Sequence, residues 1–127
     1  MPLVAIINTT VETINMLREV LEDEGFTVVA AYVVALKRGE QDLATFFAEY
    51  QPQAVIFDIA IPYEENWNFL QQQVLPASSL AEHHFVLTTT NKAVLERLVG
   101  PTAAIEIVGK PFDLETFVMA VRRALAE

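Results

Sequence analysis

The chain has 127 residues, 53% hydrophobic and 20% charged, which suits one compact domain over residues 1–127 and excludes disorder. Acidic residues outnumber basic ones 17 to 8, for a net charge of −9, so phosphate backbones and anionic lipid are repelled and neither nucleic acid nor a membrane surface is expected as a direct partner. Cysteine is absent, no basic leader precedes Leu3-Val4, and the longest apolar run, Val28 to Leu36, is too short to span a bilayer; thiol chemistry is excluded and a cytoplasmic location is expected.

Short apolar, β-branched runs alternate with helix-period segments. Leu3 to Ile7 is apolar at every position, as a strand buried on both faces would be. Thr9-Thr10-Val11-Glu12 fits a capping box, and Val11, Ile14, Leu17, Val20 and Leu21 form one helical stripe that Gly25 ends. Thr27 to Tyr32 reads as the second strand, and Val33 to Gly39 reads equally as its extension or as a helix start. Asp42 to Tyr50 is a short helix closed before Gln51-Pro52. On so short a helix, Phe46 and Phe47 are not both expected to face the core.

Ala54 to Asp58 is the third strand, Pro62 to Asn66 a loop, and Trp67 to Val74 a helix ending near Pro76, with Trp67 packed on the sheet. His83-His84 precede the fourth strand, Phe85 to Thr89; adjacent histidines on an extended segment point to opposite sides and do not share a metal. Asn91 caps a helix carrying Val94, Leu95, Leu98 and Val99 and stopping at Gly100-Pro101. Ala104 to Val108 is the fifth strand, and Asp113 caps a last helix with Phe117, Val118, Val121, Ala124 and Leu125 inward. Alternation of this kind implies an α/β fold: a doubly wound, flavodoxin-like parallel sheet of five strands in order 2-1-3-4-5, with five helices.

In such sheets ligands sit beyond the carboxyl ends of the strands. That edge carries Asn8 and Thr9 after strand one, Asp58 after strand three, Thr88 after strand four and Lys110 after strand five. A carboxylate closing the run Val55-Ile56-Phe57 is costly unless it meets water or a cation. Lys110 is the candidate cation, and Pro111 would give it a cis or otherwise rigid turn. From chemistry alone, an ion pair that merely satisfies a buried edge and a functional acid are equally good readings.

Three segments carry a resemblance over essentially the whole chain: Ala54-Val55-Ile56-Phe57-Asp58-Ile59-Ala60-Ile61-Pro62, Val86-Leu87-Thr88-Thr89, and Val108-Gly109-Lys110-Pro111-Phe112. In this order and spacing they resemble the receiver domain of two-component response regulators. The resemblance implies a phosphoacceptor role for Asp58, a phosphoryl-oxygen contact for the Thr88 hydroxyl and a charge contact for Lys110. It also implies signalling in a phosphorelay, with a sensor histidine kinase or phosphotransfer protein upstream and a signalling protein downstream. An acyl phosphate on Asp58 would then reorganise nearby loops through Thr88 and Lys110.

Two departures bear on mechanism. Receivers carry two acidic residues directly after strand one to hold Mg²⁺; here Asn8 and Thr9 stand there. The implied set of Asp58, Asn8, Thr9 and Ala60 is a poor cage for a hard cation that favours carboxylates, so Mg²⁺ is expected to bind weakly or not at all. Glu12 is expected to cap its helix, and Glu64 and Glu65 to be solvated. The aromatic switch position three residues before the lysine is Ile107, and the stretch around Val33 to Gly39 is a few residues longer than usual. These features favour a degenerate receiver that signals by binding, Asp58 remaining a potential acceptor.

The competing class is flavin mononucleotide binding at the hydroxyl-rich loop Asn8 to Thr13. It lacks the glycine that close phosphate approach needs, and Glu12 would repel the anion. A phosphatase with an aspartyl nucleophile would need a second Asp where Ala60 stands. A mean hydropathy of +0.33 suggests apolar surface covered by association. The resemblance places the usual contact face on the helix after strand four, strand five and the last helix, where Lys92, Glu96, Arg97, Glu106, Arg122 and Arg123 would suit a homodimer or another signalling domain.

Overall fold

The computed structural model describes residues 2–100, 105–110 and 113–126. Five parallel strands, β1 (Leu3–Asn8), β2 (Thr27–Tyr32), β3 (Ala54–Ile59), β4 (Phe85–Thr89) and β5 (Glu106–Gly109), form one sheet in the order β2-β1-β3-β4-β5. The expected topology is therefore observed. The helices are α1 (Val11–Asp23), α2 (Val33–Lys37), α3 (Leu43–Tyr50), α4 (Tyr63–Phe69), α5 (Leu75–Ser78), α6 (Lys92–Val99) and α7 (Leu114–Leu125), five of them with seven or more residues.

Strand alternation sorts the core into two layers. Even-numbered Val4, Ile6, Val28, Ala54, Ile56, Val86 and Val108 pack under α1 and α7, against Ile14, Leu17, Leu21, Phe117 and Val121. Odd-numbered Ala5, Ile7, Ala31, Val55, Phe57, Ile59, Phe85 and Leu87 pack on the other face, against Phe46, Phe47, Trp67, Leu70 and Leu95. Burial on both faces is why the strands are apolar at almost every position.

Several local expectations are corrected. Val33–Lys37 is a helix, which the β-branched pair Val33-Val34 had left ambiguous. The first helix opens at Val11 with Thr10 as its N-cap residue and no side-chain cap; the Thr10 hydroxyl donates to Thr13 Oγ1 at 2.7 Å, so the capping box at Thr9 and Glu12 does not form. The segment taken as a loop from Pro62 is helical from Tyr63, because Glu64 and Glu65 lie in the first turn, where the helix dipole favours acids. That helix runs through one wide turn, Leu70–Val74, into α5, so Pro76 lies inside it rather than past its end; a widened turn relieves the clash a proline ring makes with the preceding carbonyls.

Phe46 and Phe47 are both buried, their rings 5.4 Å apart edge to face. Both lie in the core layer that includes Trp67 and Leu70, and Phe46 also stacks near Tyr50. His83 and His84 lie in a tight 3₁₀ turn instead of an extended segment: their rings are 3.9 Å apart, and His84 Nδ1 is 2.6 Å from the Ala124 carbonyl oxygen. The fifth strand begins at Glu106, later than expected; Ala104, the Pro101 stop and the turn at Pro111 lie outside the described residues. No helix among the described residues is long and apolar enough to cross a membrane.

Candidate functional site

Asn8, Asp58, Thr88 and Lys110 share the even parity of the α1/α7 face and stand at its carboxyl edge, each two residues beyond the last core positions Ile6, Ile56, Val86 and Val108. Register brings them together: Asp58 pairs directly with Thr88, and Thr88 with Val108. The Lys110 amide donates to the Thr89 carbonyl at 2.7 Å, prolonging β5 far enough to aim Lys110 back at its neighbours.

Asp58 is 6% exposed and Thr88 fully buried. The Thr88 hydroxyl donates to Asp58 Oδ1 at 2.8 Å, and Lys110 Nζ lies 2.6 Å from the same oxygen. Among the described residues the second oxygen, Oδ2, accepts no hydrogen bond. The Lys110 side chain is 27% exposed, so the pair lies at the rim of the core with one end open to water. This is what makes the buried acid tolerable: a cation and a hydroxyl replace the water it gave up.

The β1 corner is arranged differently. Asn8 is buried, and its Oδ1 accepts the backbone amides of Thr9 at 2.6 Å and Thr10 at 3.2 Å. The side-chain oxygen thus closes a tight turn over the two residues that lead into α1, whose N-cap Thr10 has no side-chain cap. Thr9 and Glu12 are exposed. Glu64 is exposed, and Glu65 lies 3.8 Å from Lys37. The Ala60 carbonyl accepts the Asn66 amide at 2.8 Å. Among the described residues no cluster of three or more His, Cys, Asp or Glu could hold a metal ion.

Two features escaped sequence reasoning. Tyr63 and Thr90 meet at 2.9 Å between their hydroxyls, linking the start of α4 to the end of β4 beside the site. Asn66 is buried on α4 four residues before Leu70, a polar residue on an apolar stripe, and that position was its only signal. Of the six charges assigned to one contact face, Arg123 pairs with Glu106 there, whereas Arg122 turns away to Glu24 at 2.9 Å and over the Phe26 ring. Ile107 is half-buried and packs on the layer containing Leu95. An open groove of about 840 Å³ lies between α2 and α4; none of Asn8, Asp58, Thr88 or Lys110 lines it.

No protein-family model and no curated protein matches the chain. Solved structures do. A response regulator receiver protein from Sinorhizobium medicae aligns with a TM-score of 0.69 at 15% identity, over 98% of this chain and 94% of that one. The chemotaxis protein CheY4 of Vibrio cholerae aligns at 0.65 with 22% identity, over 98% and 99%. A response regulator from Thermotoga maritima aligns at 0.66 with 16% identity, over 100% and 99%. The chain has the response regulator receiver fold. Within that receiver fold, Asp58, Thr88 and Lys110 end the third, fourth and fifth strands side by side, and the neutral pair Asn8-Thr9 ends the first.

Proposed function

We propose that the chain is a receiver-type signalling domain that works through protein–protein contacts, with Asp58 as its potential phosphoacceptor and little use for Mg²⁺. One observation carries the reading: Asp58, Thr88 and Lys110, far apart in sequence, meet on a single carboxylate oxygen at the carboxyl edge. An acid built only to be neutralised needs the cation; the buried hydroxyl aimed at the same oxygen is the extra part a phosphoryl group would use.

The chemistry available to these residues is direct. Asp58 Oδ2 attacks the phosphorus of a phosphorylated donor, the new O–P bond forms, and the bond to the donor atom breaks with its electron pair leaving on the donor. Thr88 and Lys110 then turn from the carboxylate to the phosphoryl oxygens, supplying one hydroxyl donor and one positive charge. The donor set fits Mg²⁺ poorly: the Asn8 oxygen is committed to two backbone amides, the Ala60 carbonyl to Asn66, and Asp58 Oδ1 to Lys110 and Thr88, which among the described residues leaves one free carboxylate oxygen.

A sensor histidine kinase or phosphotransfer protein is the donor this chemistry calls for, and a downstream signalling protein the receiver of the output. The exposed charges of Lys92, Glu96 and Arg97 on α6, of both signs, suit such a partner or a second copy of the chain. Flavin mononucleotide is the weaker reading, since the Thr9 and Thr10 amides a phosphate would need already donate to Asn8; colourless purified protein is expected. Intact mass after incubation with a small acyl-phosphate donor tests the function. Substoichiometric phosphorylation at Asp58, unchanged by Mg²⁺, is expected, and stoichiometric phosphorylation that needs Mg²⁺ and is lost in Asp58→Asn would overturn signalling by binding alone.

A further inference from the structure

The buried polar side chains among the described residues are Asn8, Asp58, Thr88, Thr89 and Asn66. Four belong to the strand ends at the carboxyl edge. The fifth, Asn66, sits on α4 with both ends of its carboxamide engaged: Nδ2 donates to the Ala60 carbonyl at 2.8 Å, and Oδ1 accepts from Lys37 Nζ at 2.7 Å. Ala60 follows Asp58 by two residues. Lys37 comes from α2, the short helix in the stretch between β2 and α3, 29 residues away in sequence.

We propose that Asn66 is a positioning residue for the segment that follows Asp58, and that Lys37 sets its orientation, so that edge helix α2 is coupled to the site. Donor and acceptor inventory fixes the orientation of the carboxamide. An ammonium only donates and a carbonyl only accepts, so between them a carboxamide stands one way round, oxygen to Lys37 and nitrogen to Ala60. Lys37 is itself held in place by the Phe69 ring at 5.4 Å and by Glu65 at 3.8 Å, with its side chain one-third exposed. The charge at residue 37 therefore fixes which way the amide faces, and the amide fixes the Ala60 carbonyl. This inference rests on the proposed function for its significance, because the segment it holds is the one that would border a phosphoryl group on Asp58.

The test is backbone NMR of the full chain, reading the Ala60 carbonyl resonance and the Ile61 amide resonance of the same peptide unit. Lys37→Met removes the donor that orients Asn66, Lys37→Arg keeps it, and Asn66→Asp keeps the Lys37 pairing while removing the donor to Ala60. Lys37→Met and Asn66→Asp are expected to shift the Ala60 carbonyl resonance upfield, as loss of one accepted hydrogen bond would. Lys37→Arg should match the wild type. A Lys37→Met variant whose Ala60 and Ile61 signals stay at wild-type values would overturn the proposal, as would a Lys37→Arg variant as perturbed as Lys37→Met. Because the readout is a carbonyl resonance, failure of Asp58 to take a phosphoryl group would defeat the proposed function and leave this inference standing.

Discussion

The carboxyl edge of this sheet has two corners that solve the same problem in opposite ways. At the β3–β4–β5 corner a buried carboxylate is kept by charge: Lys110 and Thr88 both meet Asp58 Oδ1. At the β1 corner Asn8 brings no charge and is satisfied by its own chain, through the amides of Thr9 and Thr10. One corner depends on residues 30 or more positions apart and is open to exchange of partners. The other is local and closed. On the function proposed above, the charged corner would receive the phosphoryl group, and among the described residues no cluster of three or more His, Cys, Asp or Glu could hold a metal ion.

The largest effect is expected from breaking the charged corner on one side. Lys110→Met strands the Asp58 carboxylate in a nearly closed site and should cost about 2 kcal/mol, less than for a fully enclosed pair because the lysine is partly exposed. Urea unfolding measures it, and the double variant with Asp58→Asn should recover most of the loss, as a thermodynamic cycle would show. Thr88→Val removes a buried donor to the same oxygen while keeping the shape; a loss of about 1–2 kcal/mol is expected by the same assay.

The local corner should be less sensitive. Asn8→Ala removes the acceptor for the Thr9 and Thr10 amides just before α1 and should cost about 1 kcal/mol, visible as faster hydrogen exchange at those two amides. Smallest of all is a control far from the edge. Asp42 caps α3, and the Thr45 hydroxyl, then the Thr45 amide, hold its carboxyl below the ordinary aspartate value. A group whose folded value is depressed stabilises above its unfolded value and loses that contribution as pH falls through the folded one. Acid titration of stability should therefore show a slight decline in this range that Asp42→Asn removes, with no change at the carboxyl edge.

Much of this was legible in the residues. Strands buried on both faces announce themselves by unbroken apolar runs, and Asp58 stood out because it closes one of them. The parity that gathers Asn8, Asp58, Thr88 and Lys110 follows from the same alternation. What was hidden depends on tertiary partners. Phe46 and Phe47 were read from one helix surface, whereas both sink into the same core layer. Glu64 and Glu65 looked like solvated loop and are a helix start favoured by the dipole. Asn8 reads as a ligand from its place at the edge, and its role in the turn before α1 depends on two amides that composition does not reveal. Asn66 shows in the sequence only as a polar residue on an apolar stripe, because neither Lys37 nor Ala60 lies within a helical turn of it.

Thermal unfolding across rising Mg²⁺ concentration tests the contrast between the corners most directly, since an ion that binds only the folded state raises stability by about 2.7 kcal/mol at a hundredfold excess over its dissociation constant. With the charged corner neutralised by Lys110 and the β1 corner closed on itself, the unfolding midpoint should stay where it is at millimolar Mg²⁺, matching an Asp58→Asn variant in its lack of response. A midpoint that climbs steadily with Mg²⁺ in the wild type and not in Asp58→Asn would contradict the account.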